Sequence, residues 1–523
     1  MGIVYYSRII DFEGVKMVFE PNFTKVVSSA RNNVGITQSV VEVKLPTNDN
    51  TISNIYSVSA RSTILNKENV DRDVSFSGVV DVQAVYESNG EVNSINFSAE
   101  FRDKYLVDEV VNGELILTSN VVDVNSSVVP GGIRVVVVVE TLIDVIASND
   151  INVLTSVNGD NVHISTKTIE YSTYIGKGYE KFEINDEYQL KDSRKILSVL
   201  PCVSLLKVDP KENFISVVGR VNVDICYQNG DNINNIATQQ FGTDFTWEVS
   251  IAGVEDDSTV QSVCSILFNE IKITSTSTEE GVSLVNFYMP IVYEGYVFNE
   301  SKLDVIDDLY SQDNYLSVTS ENITTLDGQG YLSIRDNISG SITIGENAPF
   351  IDDVIGVCAK NIVLASSKIY DDLLVLEGIA NVSVMYYTKE TNAITSITVE
   401  MPFSIEEKVD ARGSAVVSLC LVDVSARSKR GKEIEVLGEL NVFVDMYSHS
   451  NINVISDVAL GDVKLEDDCS LYIYIVKPEQ TLWDIAKDMN ISQDEILEQN
   501  PDIALPVKAG DKLVIYKQHI AKM

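Results

Sequence analysis

Three stretches of the chain repeat one arrangement of apolar and polar positions: SGVVDVQAVY, VGRVNVDICY and EGIANVSVMY. Each sets a glycine ahead of a tyrosine: Gly78 before Tyr86, Gly219 before Tyr227 and Gly378 before Tyr386. Val82 and Ala84, Val223 and Ile225, and Val382 and Val384 share the parity of the tyrosine that follows them. A period of two is that of a strand with one buried face. The pattern therefore predicts three strands with an aliphatic, Tyr-ended face. Asn89-Gly90 after the first and Asn229-Gly230 after the second predict tight hairpin turns, because Asn-Gly accepts the positive φ angles such turns need.

A second mark follows each of these. Gly132, Gly281 and Gly438 are each succeeded four places later by a valine, Val136, Val285 or Val442, inside another apolar run. Two correlated marks recurring in step indicate three copies of one module. Valine, isoleucine and threonine dominate, long helical periodicity is scarce, and the repeat is far longer than a solenoid unit. The expected architecture is mainly β: three tandem β-sandwich or barrel-like modules, at 1–150, 151–305 and 306–465, then a small domain at 470–518. Ser148–Asp160, Asn299–Asn314 and Asp462–Ser470 are the candidate junctions. The repeat glycines read as bulges or as places where a neighbour packs closely on the strand, and the tyrosines as residues closing a core edge with their hydroxyls at the rim.

The last fifty residues have a different period. Tyr472–Val476 alternates as a strand and Pro478 ends it. Thr481 and Asp484 form a capping pair ahead of Leu482, Ile485, Ala486 and Met489, which fall on one helical face. Ser492 and Glu495 repeat the capping spacing before Ile496 and Leu497, and Asn500-Pro501 ends that helix. After Ala509-Gly510, Leu513 and Ile515 mark a closing strand. The predicted order is βααβ.

This segment, with V-K-P-E-Q-T-L-W-D-I-A, N-P-D-I and V-K-A-G-D-K-L-V-I, resembles the LysM family over its whole length. It departs at Glu479 and Gln480, where that family usually carries Gly-Asp. The resemblance implies binding of N-acetylglucosamine chains or of a partner through two loops, Pro478, Glu479, Gln480, Thr481 and Leu482 in the first, and Ile503, Ala504, Leu505 and Pro506 in the second, with Trp483 beside the first as a further candidate contact. Trp483 lies off the apolar stripe of its helix, roughly 100° around from Leu482. It reads either as a half-buried cap on a small core or as an anchor for a partner protein.

Composition narrows the chemistry. At 523 residues and 45% hydrophobic content the chain can bury several cores. Its net charge of −38 repels phosphate backbones and anionic membrane surfaces, so nucleic acid is excluded as a partner. The most apolar stretch, Ile133–Val139, is interrupted by Arg134 and closed by Glu140, well short of the roughly 20 residues of a membrane helix. The N-terminus lacks the pattern of a cleaved export signal. Six cysteines, Cys202, Cys226, Cys264, Cys358, Cys420 and Cys469, contain no C-x-x-C and read as separate buried thiols of a reducing cytosol. His163, His449 and His519 are too dispersed for a local metal pair. Gly176-Lys177-Gly178 and Gly328-Gln329-Gly330 meet Lys181 and Ser333 where a dinucleotide fingerprint needs its third glycine. Gly431-Lys432 has Ala426 and Glu433 where a phosphate loop needs Gly and Ser or Thr. No catalytic residue, cofactor or metal is expected, and the chain reads as a non-enzyme.

Tandem Val-rich β modules ending in one LysM module resemble a family of spore-coat morphogenetic proteins of clostridial spore formers, whose repeated modules are called SPOCS domains. That resemblance implies a scaffold in the mother-cell cytosol at the forespore surface and spore coat. It implies docking through the LysM module on stage IV sporulation protein A, the coat-anchoring ATPase, with protein–protein interaction as the activity. A peptidoglycan-binding protein is the alternative.

Overall fold

The computed structural model describes residues 19–517 apart from 47–51, 108–112, 231–234, 278–281, 347, 392, 410–412 and 465–470. The first unit holds β1 (Phe19–Pro46), β2 (Ile52–Val70), β3 (Asp73–Ser88), β4 (Glu91–Leu106), β5 (Gly113–Val129) and β6 (Gly132–Gly159). The second holds β7 (Val162–Lys191), β8 (Ser193–Lys211), β9 (Phe214–Asn229), β10 (Ile236–Ser250), β11 (Thr259–Ile266), β12 (Lys272–Ser277) and β13 (Val282–Ser311). The third holds β14 (Asn314–Thr343), β15 (Ile351–Tyr370), β16 (Leu373–Thr388), β17 (Ile394–Lys408), β18 (Ser414–Lys429) and β19 (Glu433–Val463). The C-terminal part is β20 (Leu471–Ile475), α1 (Leu482–Met489), α2 (Gln493–Gln499) and β21 (Lys512–Tyr516).

Each unit is built from two antiparallel sheets. One is a meander, β2-β3-β4, β8-β9-β10 or β15-β16-β17; the other joins the first and last strands, β1-β6-β5, β7-β13 with β11 and β12 beyond, or β14-β19-β18. The aliphatic faces of the two sheets meet in one core per unit. In β6, Ile133, Val135, Val137 and Val139 are fully buried, while Arg134 points outward to Glu42. Strand β6 runs on through Ser148–Gly159 and β13 through Asn299–Ser311, so the chain reverses at Asp160–Asn161 and at Gln312–Asp313.

The repeat strands are the central strands β3, β9 and β16, and Tyr86, Tyr227 and Tyr386 are buried at their ends. Each repeat glycine pairs in register with a phenylalanine: Gly78 with Phe101, Gly219 with Phe245, Gly378 with Phe403. A Cβ there would stand 2.7, 2.3 or 2.4 Å from that ring and 2.5, 2.7 or 2.4 Å from a backbone oxygen of the other neighbouring strand. Glycine is the residue that lets the ring lie over the strand. Of the second mark, Gly438 lies in β19 and Gly281 falls outside the described residues. Asn89 and Gly90, at φ 56° and 79°, make the expected tight turn. Asn229-Gly230 does not: Asn229 N–H bonds to the carbonyl of Asn235, closing a longer loop.

The units are packed together rather than strung out. The outer halves of the ribbons β1/β6, β7/β13 and β14/β19 bundle around a shared line, where Val26, Val153, Ile169, Val305, Ile323 and Val454 meet, one from each of the six strands. Leu154, Ile306 and Ile455 form the next layer. At the other end Val85, Cys226 and Met385, the residues before the three repeat tyrosines, meet in a further cluster. Corresponding positions in contact at both ends make the assembly an approximate three-fold.

That packing corrects the reading of the cysteines. Cys202 on β8 and Cys420 on β18 are joined in a disulfide between the second and third units, their Cα atoms 5.8 Å apart across 218 residues of sequence. The thiols of Cys226 and Cys358 meet between the same two units, and contact with Cys226 together with burial raises the Cys358 thiol well above its usual range. Spacing along the chain could not show either pair, because inter-unit packing creates both.

Candidate functional site

Strands β20 and β21 pair antiparallel, with Leu471 opposite Tyr516 and Ile473 opposite Val514. Their inner face, with Tyr472, Tyr474, Leu513 and Ile515, packs on Ile485, Ala486, Ile491 and Ile496 of the helical layer. The helices start where the sequence predicts. Thr481 Oγ1 accepts from Asp484 N–H while the Asp484 carboxylate accepts from Thr481 N–H at 2.8 Å and from the Thr481 hydroxyl at 2.7 Å, and these last two bonds hold the carboxyl below its usual range. Ser492 and Glu495 form the same reciprocal box. Asn490, at φ 55°, closes α1.

The first predicted loop is held by its own side chains. Gln480 Oε1 accepts from Lys477 N–H, and Gln480 Nε2 donates to the Tyr474 hydroxyl at 2.6 Å. Thr481 is occupied as the cap and Leu482 packs on the core, which leaves Pro478 and Glu479 exposed. Glu479 sits at φ 64°, the left-handed region in which a side chain costs about 1 kcal/mol relative to glycine. This accounts for the family's preference at that place. Replacing Glu479 by Gly should stabilise this domain by about 1 kcal/mol and slow amide hydrogen exchange in α1 about fivefold. Unchanged exchange in α1 would show that the strain is relieved elsewhere.

In the second loop Ile503 packs on the core while Ala504, Leu505 and Pro506 are exposed, Leu505 by 58%. Trp483 is turned away from both loops. Its indole N–H donates to Asp308 at 2.8 Å and its ring meets Tyr310 edge-on at 5.1 Å, so its partner is the second unit of the same chain.

One surface was missed by the sequence reading. Leu471, Ile473, Ile475, Val514 and Tyr516, 59%, 71%, 58%, 47% and 49% exposed, form the outer face of the β20–β21 ribbon together with exposed Lys512, which lies opposite Ile475 at one end. The signal was available: a strand with one solvated face alternates with polar residues, and Leu471–Ile475 contains none but tyrosine hydroxyls. Among the described residues no group of three His, Cys, Asp or Glu side chains could hold a metal ion, and no helix is long and apolar enough to cross a membrane. His163 stacks on Tyr310, His449 bonds to the Arg31 carbonyl, and His519 lies outside the described residues.

No curated protein and no solved structure matches the chain. Residues 474–515 match the model of the LysM domain family, so the C-terminal βααβ unit is a LysM domain, a binding module for peptidoglycan-type glycans or for proteins.

Proposed function

We infer that the chain is a non-enzymatic adaptor of the clostridial spore coat. On this reading its three β units are SPOCS modules, and its LysM domain docks on stage IV sporulation protein A at the forespore surface, within the mother-cell cytosol. The observation that carries a protein partner is the outer strand face. Sugars are gripped by flat aromatic rings and fixed polar groups, whereas five exposed apolar side chains, four of them aliphatic, make a patch bordered at one end by Lys512, an apolar centre with a polar edge of the kind buried between proteins. The polar groups of the first loop, Gln480 and Thr481, are already satisfied within the domain.

Arginine in place of Ile473 puts a charge at the centre of this face without touching the LysM core. It should lower binding of purified stage IV sporulation protein A at least a hundredfold, the loss expected when a central apolar anchor is replaced by an unpaired charge. Equal binding by wild type and Ile473→Arg would reject the face. The glycan reading is favoured by the exposed pair of loops, Pro478–Glu479 and Ala504–Pro506. It predicts retention on purified peptidoglycan that Leu505→Ala weakens and Ile473→Arg leaves intact.

A further inference from the structure

The contact between the LysM domain and the second unit is a built site. Asp308, near the end of β13, accepts from Trp483 Nε1 at 2.8 Å and from Lys487 Nζ through both oxygens, at 2.7 and 2.8 Å. Tyr310 is 4% exposed and belongs to the LysM core cluster. Its ring stands between His163, at 5.0 Å, and Trp483, and its hydroxyl donates to the Ile491 carbonyl at 2.6 Å. Burial pushes that hydroxyl up to about 12. Asn490 Nδ2 donates to the Gln312 carbonyl at 2.6 Å, and Lys464 Nζ bridges Asn490 Oδ1 and the Ser311 carbonyl, each at 2.7 Å. These groups lie on the helical side of the domain, opposite the outer strand face, so a partner on that face and the contact with the second unit can coexist.

We propose that this contact is a latch. Asp308 and Tyr310 hold the LysM domain in the one orientation that offers its outer strand face to a partner, and Trp483 and Lys487 are positioning residues rather than partner contacts. The proposal rests on the protein-docking reading above. Its physical basis is preorganisation: a domain already fixed loses less orientational freedom when it binds. Trp483 is then needed for binding although no partner touches it.

The test uses the full chain. With Trp247→Phe, Trp483 is the sole tryptophan, and acrylamide quenching of its emission reports on the latch with no partner present. Asp308→Ala should raise quenching severalfold and weaken binding of purified stage IV sporulation protein A about tenfold, the scale of losing an acceptor for charged and neutral donors. Trp483→Phe should weaken binding similarly, and no further in the Asp308→Ala background, because both variants open the same latch. Circular dichroism checks that each variant is folded. Unchanged quenching in Asp308→Ala would overturn the latch. Raised quenching with unchanged affinity, or a further loss when Trp483→Phe is added, would overturn the positioning role. Ile473→Arg should abolish binding with quenching unchanged; if it binds normally, the docking reading fails while the latch stands.

Discussion

Replacing Asp445 by asparagine should stabilise the protein at pH 8 by up to about 4 kcal/mol and change it little at pH 4. Asp445 is 3% exposed on β19, where the three units converge. Its Oδ2 accepts from Ser262 N–H at 2.9 Å, but its Oδ1 has no partner, and the nearby guanidinium of Arg31 is already bound to Asp144. Burial therefore outweighs the Ser262 bond and the Arg31 charge and raises the carboxyl to about 7. The sign follows from which state holds the proton. Below the unfolded value near 4 the acid is neutral in both states and opposes nothing. As pH rises the unfolded chain ionises first, and the difference grows by about 1.4 kcal/mol per pH unit until the folded value is passed. Stability gained from the proton is complete below pH 4 and gone above pH 7. Asparagine keeps the acceptor for Ser262 and removes the charge. Urea midpoints of the two proteins should converge at acid pH and separate above 7; parallel curves across the range would show that Asp445 is not the group responsible.

Positions of this kind also show where the sequence stopped being readable. What depends on neighbours within a strand or a helical turn was legible: the repeat strands, the Asn89-Gly90 turn, and both capping boxes of the LysM domain. The glycines read as bulges or as sites of close approach, and the structure shows close approach, although nothing in the sequence singles out the rings that make it, Phe101, Phe245 and Phe403. What depends on the units meeting was not legible. Asp144, Tyr296 and Asp445 occupy corresponding places on β6, β13 and β19, yet the second unit has a tyrosine where the other two have aspartate, and single aspartates in so acidic a chain mark no repeat. A faint trace did exist in Ile151-Asn-Val-Leu154, Leu303-Asp-Val-Ile306 and Ile452-Asn-Val-Ile455, whose valines form the common core. Likewise Trp483 was seen to lie off its helix stripe, but its partner Asp308 is 175 residues away, and only the packed fold brings the two together.

Methionine in place of Arg31 should cost about 3 to 5 kcal/mol, because it strands the Asp144 carboxylate in the interior. Arg31 is 1% exposed and reaches all three units. It donates through Nε to Asp144 Oδ2 at 2.8 Å in its own unit and through Nη1 to Gln261 Oε1 at 2.7 Å in the second, and its guanidinium lies 4.6 Å over the Tyr447 ring of the third. Removing it leaves Asp144 with Asn33, at 2.8 Å, and the longer contact to the Tyr447 hydroxyl, neither of which supplies charge. If the loss comes from that orphaned charge rather than from packing, Asp144→Leu should restore much of it in the double variant, since two apolar groups of similar volume need no partner. Recovery should be incomplete, because Gln261 Oε1 has then lost its donor. Denaturation of the single variant should also separate into two transitions, with the first unit parting from the other two before each unfolds. A double variant as unstable as the single one would place the cost in lost packing against Tyr447. The three-fold contact would then be held by shape alone, and its buried charges would be incidental to it.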